Sequence, residues 1–455
     1  YHELPMSLRT ALEGWLGRQA KRVLLRERPF VITVSGAVGK TTTKRAIGAM
    51  LECHDHSAPF RVSPKSYNNE LGVPLTVFGH DAPSRSVGAW LRLLKDGFVY
   101  GSGLKRLGVK TFVFEIGADK PGDLDYLLDL LTPDLAVVSA VMPDNEGLTP
   151  VHTSNFPSVE ALVDEETKPV MRTRTEGTVV LNADDRRVFA MRHATAAPTL
   201  TFGESDGADI RILEHKVITK PTDHGEVPTG IQLRYKVLQR EETFYIPNVF
   251  GRSVAYAVGA ALAVAVALDF TPEEYRAFAN HFEPYPGRTR IIPGIKATTL
   301  YDDTYNASPS AVLAGLRDLA ETPVRPGQRK IACIGEMREL GESAERMHRF
   351  IGAEAAKLKI DLLVPCGRMA RVLAEGALAN GMTDEQVKVF EDVPEAGQWL
   401  QRFIKPGDII FAKASEGRLD SVGARMDRLV KELMAEPNRA AELLVRQDKA
   451  WQRYS

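Results

Sequence analysis

Cysteine is scarce in this chain. Cys53, Cys333 and Cys366 are widely spaced and form no CxxC pair. That argues against a disulfide scaffold and a cysteine zinc site, and it points to a reducing cytoplasm. Long hydrophobic runs are missing too. No stretch of about 18 apolar residues occurs, so no membrane-spanning helix is expected. No secretory signal is visible, although the chain begins at Tyr1 rather than Met, which leaves room for upstream residues. Charge of one sign is not in excess. The formal net charge is −1, which gives no global reason to expect nucleic acid or an acidic membrane as partner. Internal repeats and low-complexity segments are absent.

What is present has ordinary globular proportions, with 44% hydrophobic and 26% charged residues. A length of 455 residues corresponds to about three units of ~150 residues, or two large ones. Residues 1–29 read as a basic helical segment. Leu8, Leu12, Leu16, Val23 and Leu24 alternate with Arg9, Arg18, Lys21, Arg22, Arg26 and Arg28 at amphipathic spacing. Such a stripe is expected to pack on the next domain, with a peripheral membrane contact as the alternative.

From residue 30, short β-branched runs at 30–34, 111–115, 135–141 and 178–181 are separated by helical stretches. This pattern predicts a mostly parallel sheet with crossover helices. Residues 208–247 read instead as short alternating strands, including 231–237 and 243–246, and predict a small antiparallel extension. An Ala- and Val-rich helix is expected at 253–268. After a turn at 284–287, a second α/β region begins, with strands expected at 297–301, 330–334, 362–365 and 408–412. Residues 440–451 are expected to form an amphipathic helix.

Gly36-Ala37-Val38-Gly39-Lys40-Thr41 follows the first strand and precedes a helix starting near Thr42. Glycines let backbone N–H groups turn inward around a phosphate. The helix N-terminus adds positive potential. Lys40 would reach the β and γ phosphates, and the Thr41 hydroxyl would hold Mg²⁺. Two residues separate the glycines, where the common phosphate loop has four. Gly36, Val38, Gly39, Lys40, Thr41 and Thr42 are therefore the expected nucleotide contacts.

At this loop a family resemblance becomes legible. The segment from Val34 to Lys44 is similar to the phosphate loop of the Mur ligases. Six further segments resemble the MurF branch, in family order. They begin at Asn68-Asn69-Glu70-Leu71-Gly72, Phe114-Glu115-Ile116-Gly117, Leu181-Asn182-Ala183-Asp184-Asp185, Asp302-Asp303-Thr304-Tyr305-Asn306, Ile334-Gly335-Glu336-Met337 and Lys405-Pro406-Gly407-Asp408. The resemblance implies an ATP-dependent amide ligase that works through an acyl phosphate. Its substrates would be a peptidyl precursor and an amino acid or dipeptide, and it would act as a cytoplasmic monomer. It also implies an α/β fold: a basic N-terminal segment (1–29), a P-loop central domain (30–283) and a Rossmann-like C-terminal domain (284–455).

The same resemblance assigns roles. Thr41 and Glu115 would hold one Mg²⁺ with ATP, and His152 a second. Asn182 would lie near the nucleotide, with Asp185 beside it. Arg288 would reach back to the phosphates, with Asp303, Tyr305 and Asn306 at the interdomain face. Lys413 and Ser415 would stand at the amine side. The sequence departs from the family at three places. Fourteen positions after His152 stands Glu166, where the family has a carbamylated lysine; Glu166 is expected to supply that carboxylate, and Lys168 to point away. Residues 143–150 lengthen the loop before His152, bringing Asp144 and Glu146 near. Tyr256 stands where the family uses an asparagine on adenine, and is expected to stack on the base. Only about 29 residues precede the first strand, so a front domain gripping a uridine diphosphate group is either lost or never present. An amide ligase with another acceptor is the first alternative, and a nucleotide-binding scaffold without ligation the second.

Overall fold

The computed structural model describes residues 6–54, 58–64, 67, 70–83, 86–141, 148, 155–415, 425–447 and 451. His152, Asp144, Glu146, Asn68 and Asn69 lie outside the described residues.

The first run of apolar and β-branched residues forms β1 (Phe30–Ser35), and the glycine loop leads into α2 (Lys40–Leu51), after the N-terminal helix α1 (Met6–Glu27). There follow β2 (Phe60–Val62), α3 (Gly72–Phe78), α4 (Val87–Gly101), β3 (Thr111–Glu115), α5 (Asp123–Leu130), β4 (Leu135–Val138), α6 (Val159–Arg172), β5 (Thr178–Asn182), α7 (Arg186–Ala190) and β6 (Thr199–Gly203). The long strands β7 (Ile210–Thr222) and β8 (Gly225–Val237) make a hairpin, extended by β9 (Arg240–Pro247) and followed by α8 (Arg252–Ala267) and α9 (Pro272–Arg276). All nine strands join one sheet in the order β2-β3-β1-β4-β5-β6-β7-β8-β9. Pairings are parallel from β2 to β7 and antiparallel from β7 to β9. Strands buried on both faces are dominated by apolar residues, as β1, β3 and β4 are, with only Thr33, Ser35, Thr111 and Glu115 polar among them.

Each face of this sheet is covered by helices. On one face α2 and α8 seal a core that includes Ile47, Met50, Val258 and Leu262. On the other, α1 buries Leu16, Ala20, Val23 and Leu24 beside Leu93 of α4 and Leu127 of α5. Leu12, Leu16, Val23 and Leu24 of the basic N-terminal helix are thus spent on packing. Among the described residues no helix is long and apolar enough to cross a membrane.

The second sheet contains β10 (Arg290–Pro293), β11 (Thr299–Asp302), β12 (Lys330–Ile334), β13 (Leu362–Pro365) and β14 (Ile409–Lys413), with α10 (Pro309–Glu321) between β11 and β12. The order is β10-β11-β14-β12-β13. Only β10 runs antiparallel.

Among the described residues several contacts join the sheets, Leu148 packing on the second core among them. At the crossing, Phe250 N donates to Thr289 O (3.1 Å) and Ile291 N to Asn248 O (2.9 Å). The Phe250 ring stacks on Tyr301 at 4.2 Å, and Asp318 of α10 accepts from Arg252 N at the start of α8 (3.0 Å). Farther out, Gln328 grips the tip of the β7–β8 hairpin. Its Oε1 accepts from Glu226 N and Arg325 N (both 2.8 Å), and its Nε2 donates to Glu226 O (3.0 Å) and Gly407 O (2.8 Å). Gly225, at φ +124°, has no room for a Cβ beside that side chain.

Two expected elements are shorter than the sequence suggests. The strand expected over 135–141 ends at Val138, because Ser139 turns to bind the glycine loop. The helix expected over 440–451 stops at Leu443. Leu444 is extended and Arg446 takes a left-handed φ of 59°. That turn sends its guanidinium to Thr304 O (3.0 Å) and Tyr305 O (2.6 Å).

Candidate active site between the two sheets

In a parallel sheet, functional groups collect at the C-terminal ends of the strands. Here β1, β3, β4 and β5 end in Ser35, Glu115, Val138 and Asn182. The loop after β1 has the geometry its glycines require. Gly36 and Gly39 have φ of +118° and +89°. A Cβ on Gly36 would meet Ser139 Oγ at 2.6 Å and Ala140 O at 2.8 Å. Ala37 N donates to Ala140 O (2.7 Å), and Ser139 Oγ donates to Val38 O (2.6 Å) and Ser35 O (2.9 Å). Helix α2 then begins at Lys40 without a side-chain cap. Its first-turn amides and the positive end of its dipole suit an anionic ligand. Lys40 Nζ folds over the loop to Gly36 O at 2.5 Å.

Beneath the loop lies a buried charge cluster. Thr41 Oγ1 donates to Glu115 Oε1 at 2.9 Å. Lys44 Nζ forms a buried ion pair with Glu115 Oε2 at 2.8 Å. Lys44 is fully buried. Burial lowers its pKa, Glu115 opposes that, and Arg288 adds to it.

The second wall comes from the other sheet. The Arg288 guanidinium stacks on Tyr305 at 4.1 Å, and its Nε is buried without a hydrogen-bond partner among the described residues. Lys413 pairs with Asp303, whose Oδ1 also accepts from Thr289 N (3.3 Å). Burial lowers the Lys413 pKa, against Asp303, and Arg288 lowers it further. Arg288 therefore acts electrostatically on both Lys44 and Lys413, one lysine from each sheet. Asn306 Oδ1 accepts from Ala307 N (2.9 Å). Ser415 Oγ accepts from Arg338 N (2.9 Å) and donates to Ala307 O (2.8 Å).

Residues 102–265 match the Mur ligase middle domain, and residues 287–416 the Mur ligase glutamate ligase domain. The chain belongs to the Mur ligase family. It is 26% identical to the UDP-N-acetylmuramoyl-tripeptide–D-alanyl-D-alanine ligase of Bacillus subtilis strain 168, over 93% of this chain and 79% of that protein. Its fold is similar to MurF from Acinetobacter baumannii (TM-score 0.70, 23% identity, 91% of this chain and 79% of that one). It is also similar to a Thermotoga maritima MurF solved with ADP (TM-score 0.71, 20% identity, 94% and 84%).

In this Mur ligase the expected residues fall into three groups. Gly36, Val38, Gly39, Lys40, Thr41, Thr42 and Glu115 converge around the start of α2. Arg288, Asp303, Tyr305, Asn306 and Lys413 converge at the C-terminal ends of β11 and β14. The third group is engaged structurally. Asn182 Nδ2 donates to Ser139 O (2.8 Å), and its Oδ1 accepts from Asp184 N (2.9 Å). Asp185 caps α7 and accepts from Val141 N (2.9 Å). Tyr256 donates its hydroxyl to Asp184 Oδ2 at 2.8 Å.

Glu166 is the carboxylate expected to replace the carbamylated lysine. It is buried behind the loop, where Oε2 accepts from Gly36 N at 2.8 Å. Burial raises its pKa, against Lys40 and the Gly36 amide. Among the described residues no group of three or more His, Cys, Asp or Glu side chains is arranged to hold a metal. Lys168 points away as expected, pairing with Asp125 (2.5 Å) and Glu165 (2.7 Å).

Sequence reasoning passed over Lys44, Ser139 and Arg446. Lys44 carried a usable signal, since it stands one helical turn after Lys40 and so shares its face. Ser139 and Arg446 carried none, because their partners are backbone atoms distant in sequence.

Proposed function

We propose that this Mur ligase is an ATP-dependent amide ligase of the MurF type. In that reading a peptide carboxylate attacks the ATP γ-phosphate, giving an acyl phosphate and ADP. An amine then attacks the acyl carbonyl and expels phosphate. The first step brings two anions together, so it needs clustered cations and fixed positions more than covalent help from the protein. The observation that carries the reading is Arg288: a guanidinium whose buried Nε has no hydrogen-bond partner among the described residues, acting across the cleft on Lys44 beneath the phosphate loop and on Lys413 at its own side.

ATP phosphates fit the uncapped start of α2. The donor set beside it suits Mg²⁺, since the Thr41 hydroxyl and Glu115 carboxylate are hard oxygen ligands already 2.9 Å apart. Bound there, Mg²⁺ would neutralise phosphate charge. Lys40 would hold the phosphates, and Lys413 with Asp303 would orient the amine side. Tyr256, anchored through its hydroxyl, offers only its ring to a base. Glu166 supports the loop from behind through Gly36. A second ion at His152 and Glu166 remains a separate reading, distinguished by the Mg²⁺ titration below. The relatives' names suggest a UDP-muramoyl tripeptide as acceptor and D-alanyl-D-alanine as amine. The free thiols of Cys53, Cys333 and Cys366 accord with work in the cytoplasm.

The test combines the chain with ATP, Mg²⁺ and UDP-N-acetylmuramoyl tripeptide, with and without D-alanyl-D-alanine. Phosphate release that requires both substrates, with a product of the joined mass, is expected. Release only with other carboxylate and amine pairs would keep the ligase and replace the substrates. ATP hydrolysis indifferent to any carboxylate or amine would favour the scaffold alternative.

A further inference from the structure

Half of the large hydrophobic side chains exposed among the described residues lie in one place: Leu25, Val87, Leu91, Phe98 and Leu104. Val87, Leu91 and Phe98 follow helical spacing along the outer side of α4, and Leu91 and Phe98 are 62% and 58% exposed. The opposite side of α4 is fully committed, with Leu93 buried and Gly97 pressed against Trp15 and Leu16 of α1. The stripe is continuous with the end of α1, because Arg26 donates to Tyr100 O (2.6 Å) and Glu27 accepts from Leu107 N (3.0 Å). Around it stand Arg92, Lys95, Lys105, Arg106 and Lys110, all exposed. The single acidic residue from 87 to 110 is Asp96, paired with His80 at 2.8 Å. A chain of net charge −1 thus gathers positive charge around its main exposed apolar patch.

We propose that this face docks on an anionic lipid surface. Isolated apolar side chains on a convex helix, ringed by cations of one sign, match an interfacial amphipathic helix. Anionic head groups satisfy such a ring without needing individual partners. A second copy of this chain would set two basic rims against each other, which charge repulsion opposes. Leu16, Val23 and Leu24 of the N-terminal helix, the part of the sequence that first suggests a membrane, are buried; the lipid-facing residues belong to α4, the 102–106 segment after it and Leu25 at the end of α1. The inference is independent of the ligase reading.

Vesicle co-sedimentation of the whole chain tests it, with phosphatidylglycerol–phosphatidylcholine vesicles against phosphatidylcholine alone. Binding to the anionic vesicles that weakens with salt is expected. The pair Leu91→Ser and Phe98→Ser should lower the partition coefficient at least about tenfold, and Lys105→Glu with Arg106→Glu should do likewise. Both sets alter exposed side chains, so the melting temperature should match that of the parent chain. Three outcomes overturn the proposal: no binding to anionic vesicles, binding unchanged by either pair, or concentration-dependent self-association that the serine pair abolishes.

Discussion

Thr41 and Lys44 grip opposite oxygens of the Glu115 carboxylate, at 2.9 and 2.8 Å. One turn of α2 thereby fixes the side chain that ends β3, and it does so within one turn of Lys40. The charge of Glu115 is balanced inside the protein by a lysine with no access to water.

Removing one member of that pair should be severe. Lys44→Met leaves Glu115 buried and uncompensated, which destabilises by about 3–5 kcal/mol. Adding Glu115→Gln should restore much of that stability while leaving catalysis impaired. Urea unfolding of the single and double variants, beside their turnover, checks this.

Lys40 is half-buried, and among the described residues its ammonium bonds to Gly36 O of its own loop. Lys40→Ala should change unfolding stability by less than about 1 kcal/mol yet reduce ATP turnover by at least about a hundredfold. Undiminished turnover would remove the phosphate-loop role.

Glu166 allows a sharp choice. If its work is to hold Gly36 N, Glu166→Gln keeps an acceptor there and leaves the Mg²⁺ concentration for half-maximal turnover unchanged. Glu166→Ala should impair turnover at all Mg²⁺ levels. A Gln variant that needs several times more Mg²⁺ would instead place a metal ion at this carboxyl group.

Asp318 links pH to the joint between the sheets. Burial raises its pKa to about 7, against the Arg252 amide it accepts from. A carboxyl group whose folded pKa lies above its unfolded value favours folding most when protonated. That contribution is complete below about pH 4, the unfolded value, and is lost as pH rises towards 7. Asp318→Asn keeps an acceptor for Arg252 N and cannot ionise. Its melting temperature should exceed the parent's at pH 8, with the gap closing towards pH 5.

Much of the fold was legible because it rests on local pattern. The strands at Thr111–Glu115, Lys330–Ile334 and Leu362–Pro365 are as the apolar runs suggest, since a doubly covered parallel strand leaves a continuous hydrophobic signature. Glycines and Lys40 marked the phosphate loop for a similar reason, as their backbone demands are local. Longer-range contacts left no trace. Nothing in sequence links Gln328 to Glu226, Arg446 to Tyr305, or Ser139 to Val38, because each bond joins a side chain to a remote main-chain atom. Glu166 was read as a metal-binding carboxylate, and its bond to Gly36 N was not foreseen. Spacing along α6 cannot distinguish the two, as Gly36 N and a metal both attract a carboxylate.

The clamp at Gln328 bears on how the cleft moves. With the crossing at Asn248 to Arg252, it pins the second sheet to the first at two separated points. Two fixed points define an axis. A motion that preserves both leaves the second sheet a single rotational freedom, so Arg288 and Lys413 advance on α2 or withdraw from it together. The two cations facing α2 would then share one stroke, set by the hairpin tip far from them.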